Sequence, residues 1–280
     1  LPFFKNDQEI LDAIEQKEQS LFYRKKNDKE YAIRFTKSEN AKVILVTDVT
    51  EIKRMENSKN DFIANVTHEM NTPLTSIKGF AEMILMGNLD KEKIQKSCEI
   101  ILKQTNRLSN LIKNIINYSL LESDNLPNYS VCISSVLVDI LHNFEAVFPE
   151  KNLKVTTIIE DNLFILSRTE KIFEIITNIL TNAIKYNKIN GEIEINLKKD
   201  NDKVILKIKD TGCGIKQSDL DKIFDRFYTI DKSHNEHSTG FGLGLAIVKK
   251  IINQSGWKIS VDSEYEKYTI FTVEFSPIIE

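Results

Sequence analysis

The feature that most constrains this chain is a stretch from about residue 51 to 122 with almost no turn signal outside Gly87-Asn88. Its apolar spacing predicts two long helices joined by a short loop. On the second helix Ile94, Cys98, Ile101, Thr105, Leu108, Ile112 and Ile115 recur in steps of three and four, and Leu102, Leu111 and Ile116 widen the stripe. The first helix offers Ile63, Val66, Met70, Ile77, Ala81 and Ile84 at similar spacing. Two helices alone make a poor core. Two such hairpins paired as a four-helix bundle bury both stripes, so a homodimer is expected.

His68 stands out against that seam. It lies two residues from Val66 and two from Met70, about 200° around the helix from each, and should face water. Glu69 is adjacent, and Thr72 follows one turn later on the same face. Pro73 inside the helix removes a backbone hydrogen bond and favours a bend. An exposed imidazole with a neighbouring carboxylate and a local kink is an accessible nucleophile, although an ordinary surface histidine would look the same. A zinc-protease reading of His-Glu fails, because residue 72 is Thr where the second His should stand.

The flanking regions differ in periodicity. Residues 1–50 mix a short helical pattern with strand-like runs at 31–36 and 42–47. From about residue 130 onward strands and helices intersperse, which predicts an α/β sandwich. In this region no G-x-x-x-x-G-K-[ST] loop occurs and no G-x-G-x-x-G follows a strand, so a nucleotide would bind by another route. Ser167-Arg-Thr-Glu170 reads as a capping box opening a long helix. On that helix Asn178, Asn182 and Lys185 form a polar stripe, while Ile175, Ile176, Ile179, Leu180 and Ile184 take the other faces. Asn is a poor residue for helix interiors, so two in register suggest a ligand. Their amide oxygens suit Mg²⁺ and Lys185 suits phosphate, though a solvated face would also give this pattern.

A strand pair at 192–197 and 204–209 runs into Asp210-Thr-Gly-Cys-Gly-Ile215. A carboxylate at a strand end, followed by glycines, can meet a flat ring and accept a hydrogen bond from an exocyclic amine. A simple turn needing positive φ would also use Gly here. Gly240-Phe-Gly-Leu-Gly-Leu245 opens a further helix, whose N-terminal amides suit a triphosphate. The polar stretch 231–239, with His234 and His237, reads as a lid between these segments.

Composition narrows the class. Hydrophobic residues at 41% and charged residues at 28% are ordinary for a globular chain of 280 residues. The net charge of −3, without a basic tract, argues against a nucleic-acid partner. Cys98, Cys132 and Cys213 lie far apart, which fits a reducing compartment and neither a disulfide framework nor a zinc site. No run approaches the roughly 18 apolar residues of a membrane span. The start at Leu1 leads us to expect a cytoplasmic fragment of a longer chain, with any membrane anchor lying upstream.

Taken in order, the segments resemble the boxes of the sensor histidine kinase family. Phe62-Ile-Ala-Asn-Val-Thr-His68-Glu-Met-Asn-Thr-Pro-Leu74 resembles the phospho-acceptor box, and Asn178-Ile-Leu-Thr-Asn182-Ala-Ile-Lys185-Tyr186 the N box. Asp210-Thr-Gly-Cys-Gly214 resembles the first glycine box, Ile223-Phe-Asp-Arg-Phe-Tyr228 the F box, and Gly240-Phe-Gly-Leu-Gly-Leu-Ala-Ile-Val248 the second glycine box. Asp48-Val-Thr50 resembles the exit of a PAS sensor domain, of which residues 1–50 would be a part.

The resemblance implies three regions: a partial PAS-like α+β segment over 1–50, a dimeric phosphotransfer hairpin over 51–125, and a Bergerat-type ATP-binding domain over 126–280. It implies that ATP phosphorylates His68, that Glu69 acts as base, and that Thr72 supports dephosphorylation of a response-regulator receiver domain. It places ATP against Asn178, Asn182, Lys185, Tyr186, Asp210, Gly212, Gly214, Ile215, Phe224, Arg226, Gly240, Gly242, Leu243 and Gly244. Within that set Asn182 holds Mg²⁺, Asp210 reads adenine, and Arg226 with the lid attends the γ-phosphate. A hinge is expected over 123–130, around Pro127.

The chain departs from the family pattern at three places. Asn71 stands where Arg usually precedes Thr-Pro, Phe241 interrupts a box that often reads Gly-Gly-Thr-Gly, and the turn 265–269 lacks Gly. An ATPase of the same nucleotide fold would carry Glu where Asn178 stands, and a non-catalytic scaffold would not keep the Asn, Asp and Gly set.

Overall fold

The computed structural model describes residues 20–38, 41–87, 89–120, 126–230 and 240–276. The expected lid at 231–239, residues 123–125 of the expected hinge, and the helical pattern before residue 20 lie outside them. The chain divides into two compact units, residues 1–68 and 69–280.

The first unit is an antiparallel meander of β1 (Ser20–Lys26), β2 (Lys29–Ser38) and β3 (Ala41–Asp48), followed by the start of α1 (Thr50–Leu85). β2 and β3 contain the strand-like runs at 31–36 and 42–47, whereas β1 lies before both. β1 and β2 are joined by Asn27 and Asp28, both at positive φ (50° and 57°), the backbone that a two-residue hairpin turn requires. Ile33 and Phe35 are buried, and Phe22 meets Phe35 edge-on at 5.8 Å. The Asp48-Val-Thr50 motif is the corner between sheet and helix. Asp48 Oδ1 accepts the Thr50 backbone N–H at 3.1 Å and its hydroxyl at 2.5 Å, while Thr50 Oγ1 accepts the Glu30 N–H at 2.9 Å. Those bonds and Lys29, 3.1 Å away, hold the Asp48 carboxyl down to about 2. Toward its end this unit carries His68, on an exposed face of α1 as its phase predicts.

In the second unit α1 continues through the buried Pro73 to Leu85, and α2 (Lys91–Leu120) follows. Along α2 only part of the stripe finds cover within the chain. Leu111 is buried, whereas Leu102, Ile112 and Ile116 remain 64%, 41% and 50% exposed. No helix among the described residues is long and apolar enough to cross a membrane.

The remainder is a two-layer sandwich. Its sheet has the order β5-β7-β8-β10-β9, from β5 (Lys154–Ile159), β7 (Glu192–Asp200), β8 (Lys203–Asp210), β9 (Lys258–Glu264) and β10 (Tyr268–Phe275). Over it lie α3 (Ile133–Phe144), α4 (Thr169–Lys185) and α5 (Gly244–Gln254), and β4 (Tyr129–Cys132) pairs with β6 (Phe164–Ser167) beside them. Alternation dictates the layer interface: Ile193, Ile195 and Leu197 of β7 and Val204, Leu206 and Ile208 of β8 are buried. Helix α4 meets them with Ile172, Ile175, Ile176, Ile179, Leu180 and Ala183.

The expected capping box is not what opens α4. Ser167 ends β6, paired with Tyr129, and Arg168 in extended backbone is the N-cap without a side-chain bond. Because the sheet claims Ser167, the first turn takes a partner from outside: Tyr129 Oη accepts the Thr169 N–H at 3.2 Å.

Candidate functional site

Asp210 is in phase with Val204, Leu206 and Ile208, so alternation carries its carboxylate onto the core side of the central strand. It is 5% exposed, and Oδ1 accepts the Gly212 N–H at 2.9 Å. Burial outweighs that bond and pushes the carboxyl up to about 6.

The loop that follows is shaped by close approach. Cys213 N–H donates to the Tyr186 carbonyl at 3.1 Å, and a methyl on Gly212 would overlap the same carbonyl. Gly214 has φ +62°, and a side chain there would run into the Glu264 carbonyl. Ile215 N–H donates to Ser263 Oγ at 2.8 Å, and that hydroxyl lies 3.1 Å from Thr269 Oγ1. Thr269 is buried and pairs in register with Asp210. The sequence reading missed Ser263 and Thr269, although strand pairing would have brought Thr269 to the site. The glycine-free turn places Glu266 at φ +63°, the position glycine would fill without strain, and its N–H donates to the Cys213 carbonyl at 2.6 Å.

Helix α4 supplies the second wall. Asn178 Nδ2 donates to the Glu174 carbonyl at 2.8 Å and to Glu174 Oε2 at 3.2 Å. Both donors of the amide are thereby turned away, and Oδ1 faces the second glycine box: a Cβ on Gly244 would sit 2.5 Å from it. One turn on, the half-buried Asn182 amide has no hydrogen-bond partner among the described residues. Lys185 Nζ lies 3.0 Å from Tyr186 Oη, and a Cβ on Gly240 would sit 2.9 Å from it. An amide oxygen beside Gly244 at the start of α5, an ammonium beside Gly240 and the Asn182 amide one turn along α4 are a donor set that suits a hydrated Mg²⁺ and its phosphates. The C-terminal end of α4 is held by Lys151, whose Nζ donates to the carbonyls of Ile184, Lys185 and Asn187 at 3.0, 2.6 and 3.1 Å.

Leu243 is buried as the N-cap of α5, and the Gly242 carbonyl accepts the Phe227 N–H at 2.9 Å, tying the F-box segment to the second glycine box. Phe224 lies under Lys249 of α5, with Nζ 5.4 Å from its ring centre. The Arg226 guanidinium lies 4.8 Å over the ring of Tyr118 of α2.

Three features join α2 to this domain, and none has a local sequence signature. Tyr118 is clamped between Arg226 and Lys250, the latter 4.0 Å from the ring centre and 3.1 Å from the Tyr118 carbonyl. Arg107 lies 5.3 Å over Phe241, the residue that departs from the family pattern, and pairs with Glu69 at 3.5 Å. Asn117 Nδ2 donates to Glu174 Oε1 at 2.9 Å. Burial raises the Glu174 carboxyl, opposed by the Asn178 bond.

Comparison with known proteins agrees with this layout. Residues 58–124 match the His Kinase A (phospho-acceptor) domain, and residues 167–278 match the histidine kinase-, DNA gyrase B- and HSP90-like ATPase. Sensor protein SrrB of Staphylococcus aureus (strain MRSA252) is 32% identical over 235 residues, which cover 83% of this chain and 40% of SrrB. This chain therefore spans well under half the length of that relative. The Acinetobacter baumannii histidine kinase AdeS is similar at 26% identity and a TM-score of 0.60, over 76% of this chain and 98% of AdeS. Histidine kinase ThkA, solved in complex with the response regulator protein TrrA, shares the fold at 24% identity and a TM-score of 0.63, over 99% of this chain and 84% of ThkA. With a phospho-acceptor domain and an ATPase domain following in one chain, this protein belongs to the sensor histidine kinases.

Proposed function

We propose that this chain transfers the γ-phosphoryl group of Mg-ATP to a ring nitrogen of His68 and then passes it to an aspartate of a response-regulator receiver domain. The observation that carries this reading is the convergence of Asp210, Asn178, Asn182, Lys185 and the two glycine boxes in one domain, in a chain that also presents His68 on an exposed helical face. Neutral imidazole is nucleophilic near pH 7, so catalysis rests on positioning and charge neutralisation. The nitrogen forms a bond to phosphorus as the bond to the β-phosphate oxygen breaks, ADP leaves, and the ring proton passes to Glu69. Glu69 pairs with Arg107 at 3.5 Å, both side chains partly buried, and would exchange that partner for the imidazole in this step. Thr72, exposed one turn after His68, is assigned to dephosphorylation of the partner.

Asp210 would accept the adenine amine, and Asn182 with Asn178 would hold Mg²⁺, which neutralises phosphate charge when bound. Gly212, Gly214, Ile215 and Phe224 line the adenine side of the site in this assignment. Tyr186, Lys185, Gly240, Gly242, Leu243 and Gly244 line the phosphate side. Arg226 would reach the γ-phosphate only after leaving Tyr118. An ATPase reading is disfavoured because Asn178 stands where such enzymes commonly carry Glu to activate water, and an amide is no base. The test is Asn182→Asp: Mg-dependent ATP affinity should fall at least tenfold, and unchanged affinity and labelling would count against the site.

The exposed part of the α2 stripe supports a homodimer, which light scattering should show as twice the 32.3 kDa chain. The meander handing over to α1 at Asp48–Thr50 supports the PAS-like reading of residues 1–50. Removing it without changing the labelling rate would count against a signalling role. A reaction that consumes ATP and meets a receiver domain places this segment in the cytoplasm.

A further inference from the structure

Glu174 sits one turn before Asn178 on the face of α4 that lines the site, and it has no place in the chemistry above. Its two carboxylate oxygens are divided between two amides. Oε2 accepts from Asn178 at 3.2 Å, and Oε1 accepts from Asn117 of the hairpin helix α2 at 2.9 Å. The first bond decides which way the Asn178 amide points. With its NH₂ between the Glu174 carbonyl and carboxylate, the reverse orientation would set oxygen against two acceptors. Oδ1 is therefore the atom offered beside Gly244. The second bond crosses from the hairpin to the ATP-binding domain, next to the clamp on Tyr118.

We propose that Glu174 is a positioning residue that fixes the Asn178 amide with its oxygen toward the metal–phosphate site, and that Asn117 steadies Glu174 when the domain is seated on the hairpin. This rests on the nucleotide reading above and adds a route by which seating is felt at the metal–phosphate site. A group that orients a metal ligand through a hydrogen bond commonly changes metal affinity 10–100-fold. Unseating the domain removes the Asn117 donor, leaves Glu174 with one partner, and loosens Asn178 without moving α4.

The experiment measures binding of a fluorescent ATP analogue to the whole chain, in excess Mg²⁺ and in EDTA. For Glu174→Met we expect Mg-dependent affinity to fall roughly 10–100-fold and metal-free affinity to stay within about twofold. Glu174→Gln should restore the wild-type value, since its carbonyl still accepts from Asn178 and the Asn117 amide can turn over to meet its NH₂. Asn117→Leu should lose Mg-dependent affinity in the same direction by a smaller factor. Equal losses with and without Mg²⁺, no loss for Glu174→Met, or failure of Glu174→Gln to rescue would overturn the proposal. A wild-type chain that binds the analogue in neither condition would instead overturn the nucleotide reading, and this inference with it.

Discussion

Asp210 is the residue where stability and binding pull apart. Its carboxyl, at about 6, lies above the ordinary value of 3.8 because burial penalises the charge. The folded state then holds the extra proton between those values. Stability from this group is full below about 3.8, falls as pH rises through about 6, and is absent above it. The penalty near neutrality is on the order of 2–3 kcal/mol. Asp210→Asn should therefore raise the melting temperature at about pH 8 and leave it nearly unchanged at about pH 4. The same change should weaken ATP binding by tenfold or more, because an NH₂ would face the adenine amine. A lower melting temperature at the higher pH, or intact ATP affinity, would contradict this account. Asp210 was legible in the sequence, since Val204, Leu206, Ile208 and Asp210 share one alternating phase. Glu174 was legible only in hindsight, as the i−4 neighbour of Asn178. Asn117 was not, because a contact across 57 residues leaves no local pattern.

At the scale of elements, α4 carries the polar stripe, and both of its ends are held from outside. Tyr129 meets its first turn and Lys151 its last. The capping-box signal misled because a sequence window cannot see that Ser167 belongs to β6. In contrast, the strand pair of β7 and β8 and the two hairpin helices follow directly from their periods of two and of three to four. Lys151 has no periodic signature at all, yet an ammonium bonded to three carbonyls completes the helix end where the dipole is negative. Lys151→Met should cost about 2–3 kcal/mol, read as a fall of roughly 5–10 °C in melting temperature by calorimetry. A shift of about 1 °C or less would show that water replaces the ammonium at little cost. Glu266, at positive φ, marks the opposite case, where the missing glycine is offset by its bond to the loop after Asp210.

For the whole molecule, the hairpin and the ATP-binding domain are built from separable sequence signals, and their order in the chain was readable from five boxes. How α2 meets the domain was not readable, because Arg107 on Phe241, Tyr118 between two cations and Asn117 on Glu174 depend on docked surfaces. Phe241 looked like a defect in a phosphate box and is a platform for Arg107. The same guanidinium pairs with Glu69, so one side chain of α2 touches both α1 and the second glycine box. Whether His68 receives the phosphoryl group is read by incubation with γ-labelled Mg-ATP followed by acid and base treatment. The label should survive base, be lost in acid, and be absent from His68→Gln, whose ATP affinity should match the wild type. Acid-stable label, label retained by His68→Gln, or rapid ADP release without phosphoprotein would contradict transfer to His68.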